Sequence, residues 1–256
     1  MSALAEQLSH WLRQQVLAAG ANGLVVGLSG GLDSAVVARL CQLATPGEAL
    51  AAILPCQSDP KDELDAKLIA KHFDLPTTQV NLDRSYGILI ESIKIGTRVL
   101  QEPCSESPLE DVRLRTALAN VKARLRMMTL YYLANTMNYL VAGTGNRCEL
   151  EVGYYTKYGD GGVDVLPLGR LLKSEVTKLA REFHIPEPII EKPASAGLWI
   201  GQTDEVELGF TYDHLEAYVT QGPEAVSPSL ALHIEWMMQS SEHKRQLPSM
   251  PPATEA

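Results

Sequence analysis

The sequence predicts an α/β fold in which a parallel sheet carries helices on both faces. Two observations predict it. Short, almost wholly apolar runs of strand length alternate with segments of helical period from Leu4 to Gly143, and strands that are apolar at nearly every position are those buried on both sides. The first apolar run also ends in Ser29-Gly30-Gly31, a tight turn feeding the next helix, as a βα unit requires.

Taken in order, Leu8, Leu12 and Val16 stand at helical spacing within Leu4–Ala18 and predict a leading amphipathic helix. Leu24 to Leu28 is the first strand. A helix follows from Asp33, with Ala35, Val36, Leu40 and Leu43 as its apolar positions and Thr45-Pro46-Gly47 as its end. Ala49–Pro55 repeats the strand signal, and Pro60–Phe73 supplies a helix through Leu64, Leu68, Ile69 and Phe73. Thr77–Leu82 reads as a third strand, Ser85–Ile95 as a helix, Glu102–Asp111 as a loop, Val112–Asn135 as a long helix and Tyr139–Gly143 as a fourth strand. Beyond Thr144, glycines at 153, 159, 161, 162, 169 and 197 interrupt every long period, so loops are expected to dominate. Helices are expected at Leu172–Phe183, Tyr212–Val219 and Ser229–Met238, and the proline-rich 247–256 tail is expected to be flexible. Residues 1–256 read as a single domain.

Composition narrows the function. The chain is 45% hydrophobic, enough for a core, and its net charge of -9 argues against nucleic acid or a bilayer surface as partner, since both are polyanionic. The longest apolar runs fall well short of the roughly 20 residues a membrane span needs. The first ten residues lack the basic and apolar regions of a secretion signal, so a cytoplasmic location is expected. Cys41, Cys56, Cys104 and Cys148 are widely separated, with no nearby histidine at ligand spacing, and read as reduced thiols rather than a zinc site.

The turn at 29–31 is where chemistry first shows. A strand, a Ser-Gly-Gly turn and a helix start leave backbone N–H groups pointing at one spot, suited to phosphate. Ser29 and Ser34 add hydroxyls, while Asp33 would repel phosphate unless a magnesium ion lies between, which makes metal-bound ATP the natural guest. The same residues would also serve a plain turn with Asp33 as helix cap. Gly143-Thr144-Gly145-Asn146-Arg147-Cys148-Glu149 follows the fourth strand, so Glu149 would lie beside Asp33 at the carboxyl ends of neighbouring strands. Two such carboxylates form a hard oxygen site. Between Gly153 and Gly162 lies a glycine-rich loop dense in tyrosine with one lysine and one aspartate, costly to order for packing alone.

Gly27, Leu28, Ser29, Gly30, Gly31, Leu32, Asp33 and Ser34 together resemble the pyrophosphate loop of the N-type ATP pyrophosphatases. Thr156-Lys157-Tyr158-Gly159-Asp160-Gly161-Gly162 resembles a signature of the NAD synthetase family within that group. Asn120–Met127, Glu191–Trp199 with Gly201–Glu205, and Glu242–Arg245 agree with it, so the resemblance runs from about residue 5 to 248. It implies a Rossmann-like, adenine nucleotide alpha-hydrolase-like fold and a ligase that amidates deamido-NAD with ammonia, using ATP as co-substrate. By the same resemblance, the 27–34 loop, Thr144, Lys173 and Ser195 contact ATP. Asp33 and Glu149 bind Mg2+. Arg124, Lys157, Asp164, His243 and Lys244 contact deamido-NAD. Asp160 serves the ammonia site, and Lys173 and Asp160 are the catalytic pair, a lysine countering phosphate charge and a carboxylate deprotonating ammonium. The family resemblance also implies a homodimer, with Asp111–Asn135 contributing to its interface. Loops near 56–59 and 191–209 are expected to close over ATP. The length leaves no room for a glutamine amidase domain, so free ammonia is the expected nitrogen source. Nicotinate mononucleotide, a shorter acceptor, would suit the same chemistry. A tRNA-thiolating relative is opposed by the acidic charge and the lack of paired catalytic cysteines, and a non-catalytic nucleotide sensor by the presence of both Asp33 and Glu149.

Overall fold

The computed structural model describes residues 2–97, 108–199 and 201–251. Strands β1 (Gly23–Gly27), β2 (Ala49–Ile53), β3 (Thr77–Gln79) and β4 (Tyr139–Ala142) form one parallel sheet in the order β3-β2-β1-β4. Among them run α1 (Ala3–Ala18), α2 (Leu32–Ala44), α3 (Pro60–His72), α4 (Asp83–Gly96) and α5 (Pro108–Met137). After β4 come α6 (Arg147–Val152), α7 (Lys173–Glu182), α8 (Glu187–Ile190), α9 (Asp204–Leu208), α10 (Tyr212–Gln221), α11 (Pro228–Ser240) and α12 (Glu242–Arg245).

Both faces of the sheet are covered, and the pleat of β1 shows how. Leu24 and Val26 point into a core shared with α1, α2 and α7, whereas Val25 points into a second core with Tyr86 of α4 and Ala134 of α5. Burying all three as valine or leucine explains why the run shows no polar alternation. Leu12 of α1 is fully buried against this first core, worth about 1.5–3 kcal/mol. A third apolar cluster, built on Cys148, Leu215 and Ile234, joins α6 to α10 and α11 beside the sheet.

Three expectations are corrected. The third strand stops at Gln79 rather than Leu82, because the Asn81 side chain accepts from the Asp83 N–H at 2.9 Å and turns the chain into α4, which starts two residues early. The long helix begins at Pro108, so 108–111 belong to it and not to a loop; 102–107 lie outside the described residues. The stretch after Thr144 holds the short helices α6, α8, α9 and α12, each of four to six residues and too brief to display a helical period. Residues 247–251 form no regular element, and 252–256 lie outside the described residues. No helix among the described residues is long and apolar enough to cross a membrane.

Candidate active site

β1 and β4 are neighbours whose chain connections leave in opposite directions, the position where open parallel sheets bind ligands. At the end of β1, Gly30 has φ +81, and a Cβ there would stand 2.3 Å from the Asp62 carbonyl oxygen of α3, so only glycine fits. Two serines knit the loop. Ser34 Oγ accepts from the Ser29 N–H at 3.2 Å and donates to Gly31 O at 2.9 Å, and Ser29 Oγ accepts from the Gly31 N–H at 3.2 Å. Helix α2 opens at Leu32 after Gly31, which supplies no side-chain cap. Asp33 is therefore not the cap. Among the described residues, the amides of Leu32, Asp33 and Ser34 meet no protein acceptor, which leaves a set of N–H donors suited to an anion.

The carboxylate of Asp33 turns toward β4 instead. Its Oδ1 pairs with Lys173 Nζ at 2.7 Å, and its Oδ2 accepts from Asn146 Nδ2 at 2.8 Å. The backbone N–H of that same Asn146 donates to Glu149 Oε2 at 3.0 Å, while its Oδ1 accepts from the Glu149 N–H at 3.1 Å. This reciprocal pair is the capping box that starts α6. One buried asparagine thus sets the spacing of both acids. Lys173 begins α7, and its ammonium lies 5.2 Å from the centre of the Tyr212 ring. The Tyr212 hydroxyl donates to Asp204 Oδ2 at 2.9 Å and stands 3.4 Å from Glu149 Oε1.

Removal from water, reinforced by the Asp33 charge, pushes the Glu149 carboxyl well above the usual carboxylate range while no cation is bound. Burial would lower Lys173, yet Asp33 and Glu149 outweigh it and its pKa rises, so the ammonium stays charged. A site with two clustered carboxylates and a lysine wants a cation for the acids and an anion for the lysine. Among the described residues no three His, Cys, Asp or Glu side chains form a metal cage. The donors match magnesium, which takes one or two carboxylates and fills its shell with phosphate and water.

A second cluster gathers most of the remaining sequence-predicted residues. Lys244 Nζ donates to Gly153 O at 2.7 Å and Tyr155 O at 2.8 Å; Lys157 Nζ donates to the His243 carbonyl; Arg124 Nη2 donates to Lys157 O at 3.3 Å. The His243 ring is turned back, with Nδ1 3.1 Å from Ser240 O. Asp160 accepts from the Thr156 N–H at 2.9 Å in the intervening loop. Asp164 is not joined to this group: its carboxylate accepts from Tyr131 OH at 3.0 Å and from the Val141 N–H of β4 at 2.8 Å. Thr144 lies between β4 and α6, and Ser195 Oγ accepts from the Gly197 N–H at 3.1 Å.

Sequence reasoning missed several members. Asn146 had a readable signal, the Asn-x-x-Glu spacing of a capping box. Asp204 and Tyr212 had none of comparable strength. Lys122 and Arg126 of α5 were quoted within a motif without a role, yet they clasp two loops. Lys122 Nζ donates to Leu198 O at 2.8 Å and Gln57 O at 3.3 Å. Arg126 donates to Leu54 O at 3.2 Å, Ser58 Oγ at 2.9 Å and Gly197 O at 3.2 Å.

A parallel sheet covered by helices, with a glycine-serine loop after β1 and acids at the ends of β1 and β4, defines an α/β protein whose site suits a phosphorylated ligand. Within that class the chain belongs to the NAD synthase family, whose model matches residues 4–248. It is 51% identical over 246 residues to an NH(3)-dependent NAD(+) synthetase of Carboxydothermus hydrogenoformans, covering 96% of each chain. An NMN synthetase structure from Francisella tularensis superposes with TM-score 0.87 at 34% identity over 98% of each chain. An NH3-dependent NAD synthetase from Campylobacter jejuni, in complex with the nitrate ion, gives TM-score 0.75 at 28% identity over 97% of each chain.

Proposed function

We propose that the chain, acting as one catalytic domain, amidates deamido-NAD with ammonia and consumes ATP to yield NAD, AMP and pyrophosphate. The observation that carries this reading is the family match over 4–248, within which the phosphate loop, the paired acids and the 156–162 signature all fall. Activation is needed because a carboxylate is a poor acyl electrophile. The nicotinate carboxylate attacks the α-phosphate of ATP, the α–β phosphoanhydride bond breaks, and pyrophosphate leaves. Ammonia then attacks the acyl adenylate and AMP departs.

The 27–34 loop amides hold the phosphates, with Thr144 and Ser195 contacting ATP. Lys173, already charged and pointed at the loop end, moves from Asp33 toward the departing pyrophosphate. Asp33 and Glu149 would hold Mg2+, which supplies charge neutralisation to the triphosphate. Arg124, Lys157, His243 and Lys244 offer positive charge and donors to the phosphates of deamido-NAD, and Asp164 offers acceptors. Asp160 holds ammonium and accepts its proton.

Exposed apolar residues on α4 (Ile88, Ile93, Ile95) and on α5 (Met128, Tyr132) offer apolar surface to a second copy, which supports a homodimer built on α5. The loops near 56–59 and 191–209, which Lys122 and Arg126 clasp at Gln57, Ser58, Gly197 and Leu198, are the segments we assign to closure over ATP. Three buried free thiols among the described residues fit a cytoplasmic enzyme.

A second reading, nicotinate mononucleotide as acceptor, is favoured by one observation: the NMN synthetase superposes more closely than the NAD synthetase from Campylobacter jejuni. Comparing deamido-NAD and nicotinate mononucleotide with ammonium and magnesium ATP separates the two. AMP formation that depends on deamido-NAD supports the first reading, a higher kcat/KM on the mononucleotide replaces it with the second, and AMP formation with neither removes both.

A further inference from the structure

Asp204 opens α9 and is only 3% exposed, yet just one of its oxygens is engaged. Oδ2 accepts from the Tyr212 hydroxyl at 2.9 Å, and Oδ1 has no hydrogen-bond partner among the described residues. The nearby Tyr154 hydroxyl is paired with Glu207. Burying a carboxylate with an idle oxygen is costly, so its retention asks for a reason beyond packing.

The reason lies in how few protons Tyr212 has. Its hydroxyl stands between Asp204 and Glu149, and it can donate to only one of them. The 2.9 Å bond commits that proton to Asp204, leaving a 3.4 Å separation from Glu149 Oε1 with no proton to spend. Glu149 Oε2 is already bound by the Asn146 N–H. Oε1 is therefore the oxygen left for a cation. Were Asp204 absent, the hydroxyl would turn its proton onto Oε1 and blunt it as a ligand. Asp204 also closes the Ser195-bearing segment, because its N–H donates to Ala194 O at 2.9 Å.

We propose that Asp204 is a positioning residue for the divalent-cation site: by holding the Tyr212 proton it keeps Glu149 Oε1 open. This rests on the reading that Asp33 and Glu149 hold the ion. Residues that orient a metal's ligands in this way change metal affinity by about 10–100-fold.

The test titrates the full chain with Mn2+ in the presence of the α,β-methylene analogue of ATP, following bound ion by water-proton relaxation. Asp204→Ala is expected to weaken Mn2+ binding about tenfold. Adding Tyr212→Phe, which removes the misdirected proton, is expected to recover most of that loss, a rescue that a purely structural role would not produce. Asp204→Asn keeps an acceptor for Tyr212 and removes only charge, so it should lose less, about threefold, and covers the case in which the alanine variant does not fold. Folded variants that bind Mn2+ within about twofold of the wild type, or a double variant without recovery, overturn the inference alone. A wild type that holds no Mn2+ overturns the cation reading together with it.

Discussion

At the ends of β1 and β4, the Asp33 carboxylate is held by the side chains of Lys173 and Asn146, and Asn146 and Glu149 exchange side-chain-to-backbone bonds, in a partly buried site. In the cluster between α5 and α12, Lys157 and Lys244 are held by backbone carbonyls, and Arg124 is exposed. The first arrangement carries its own counterion, so an incoming cation and anion must exchange partners with Lys173 and Asp33. The second spends its hydrogen bonds on neutral acceptors and keeps its positive charge for a guest. On the proposed function, one site is built for exchange and the other for capture.

Breaking the first site should have the largest effect. Asp33→Asn removes the partner of Lys173 and, on the proposed function, a ligand of the cation, and pyrophosphate release is expected to fall about a thousandfold while the thermal melt stays close to wild type. Residual release above a tenth of wild type would mean that the acids are not the ATP site. A smaller effect should follow in the capture site. Lys244→Ala is expected to raise KM for deamido-NAD about tenfold with kcat nearly unchanged, the mark of binding lost equally in ground and transition states. A fall in kcat at constant KM would blur the contrast between the sites.

The smallest effect concerns Cys148, which sits in α6 directly before Glu149. Burial pushes its thiol up to about 11 and Cys41 up to about 12, and it also raises Cys56. A thiol with a raised pKa stays protonated at pH 8 and reacts slowly. Peptide mapping after iodoacetamide at pH 8 should find these three unmodified in the folded protein and alkylated in denaturant. Rapid alkylation of Cys148 with loss of activity would mean that α6 opens readily.

The sheet was legible because β1, β2 and β4 are largely buried on both faces, so Leu24–Val26 and Ala51–Ile53 appear as unbroken apolar runs, whereas the polar edge strand β3 is mostly exposed and its end was misread. Asp33 and Glu149 were legible as a pair because strand ends at a parallel sheet converge. The misreading of Asp33 as a possible cap arose because sequence shows only its place at the helix start; Lys173, 140 residues away, takes its carboxylate instead. Roles for the Arg124, Lys157 and Lys244 group came from resemblance alone, since a surface lysine has no local mark of the carbonyls it will meet. Asp204 and Tyr212 stayed hidden because each gains meaning only from a tertiary neighbour.

The Asn146 bridge has a consequence for how the protein is made. Asp33 and Asn146 are separated by 113 residues, and nothing shorter brings the two acids together. Closing so long a span is slow compared with forming a helix or a single βα unit. The phosphate loop can therefore take shape early in synthesis, whereas its acidic counterpart arrives only after β4 has docked beside β1. A growing chain is expected to pass most of its folding without the means to spend ATP, and to acquire it in one late step.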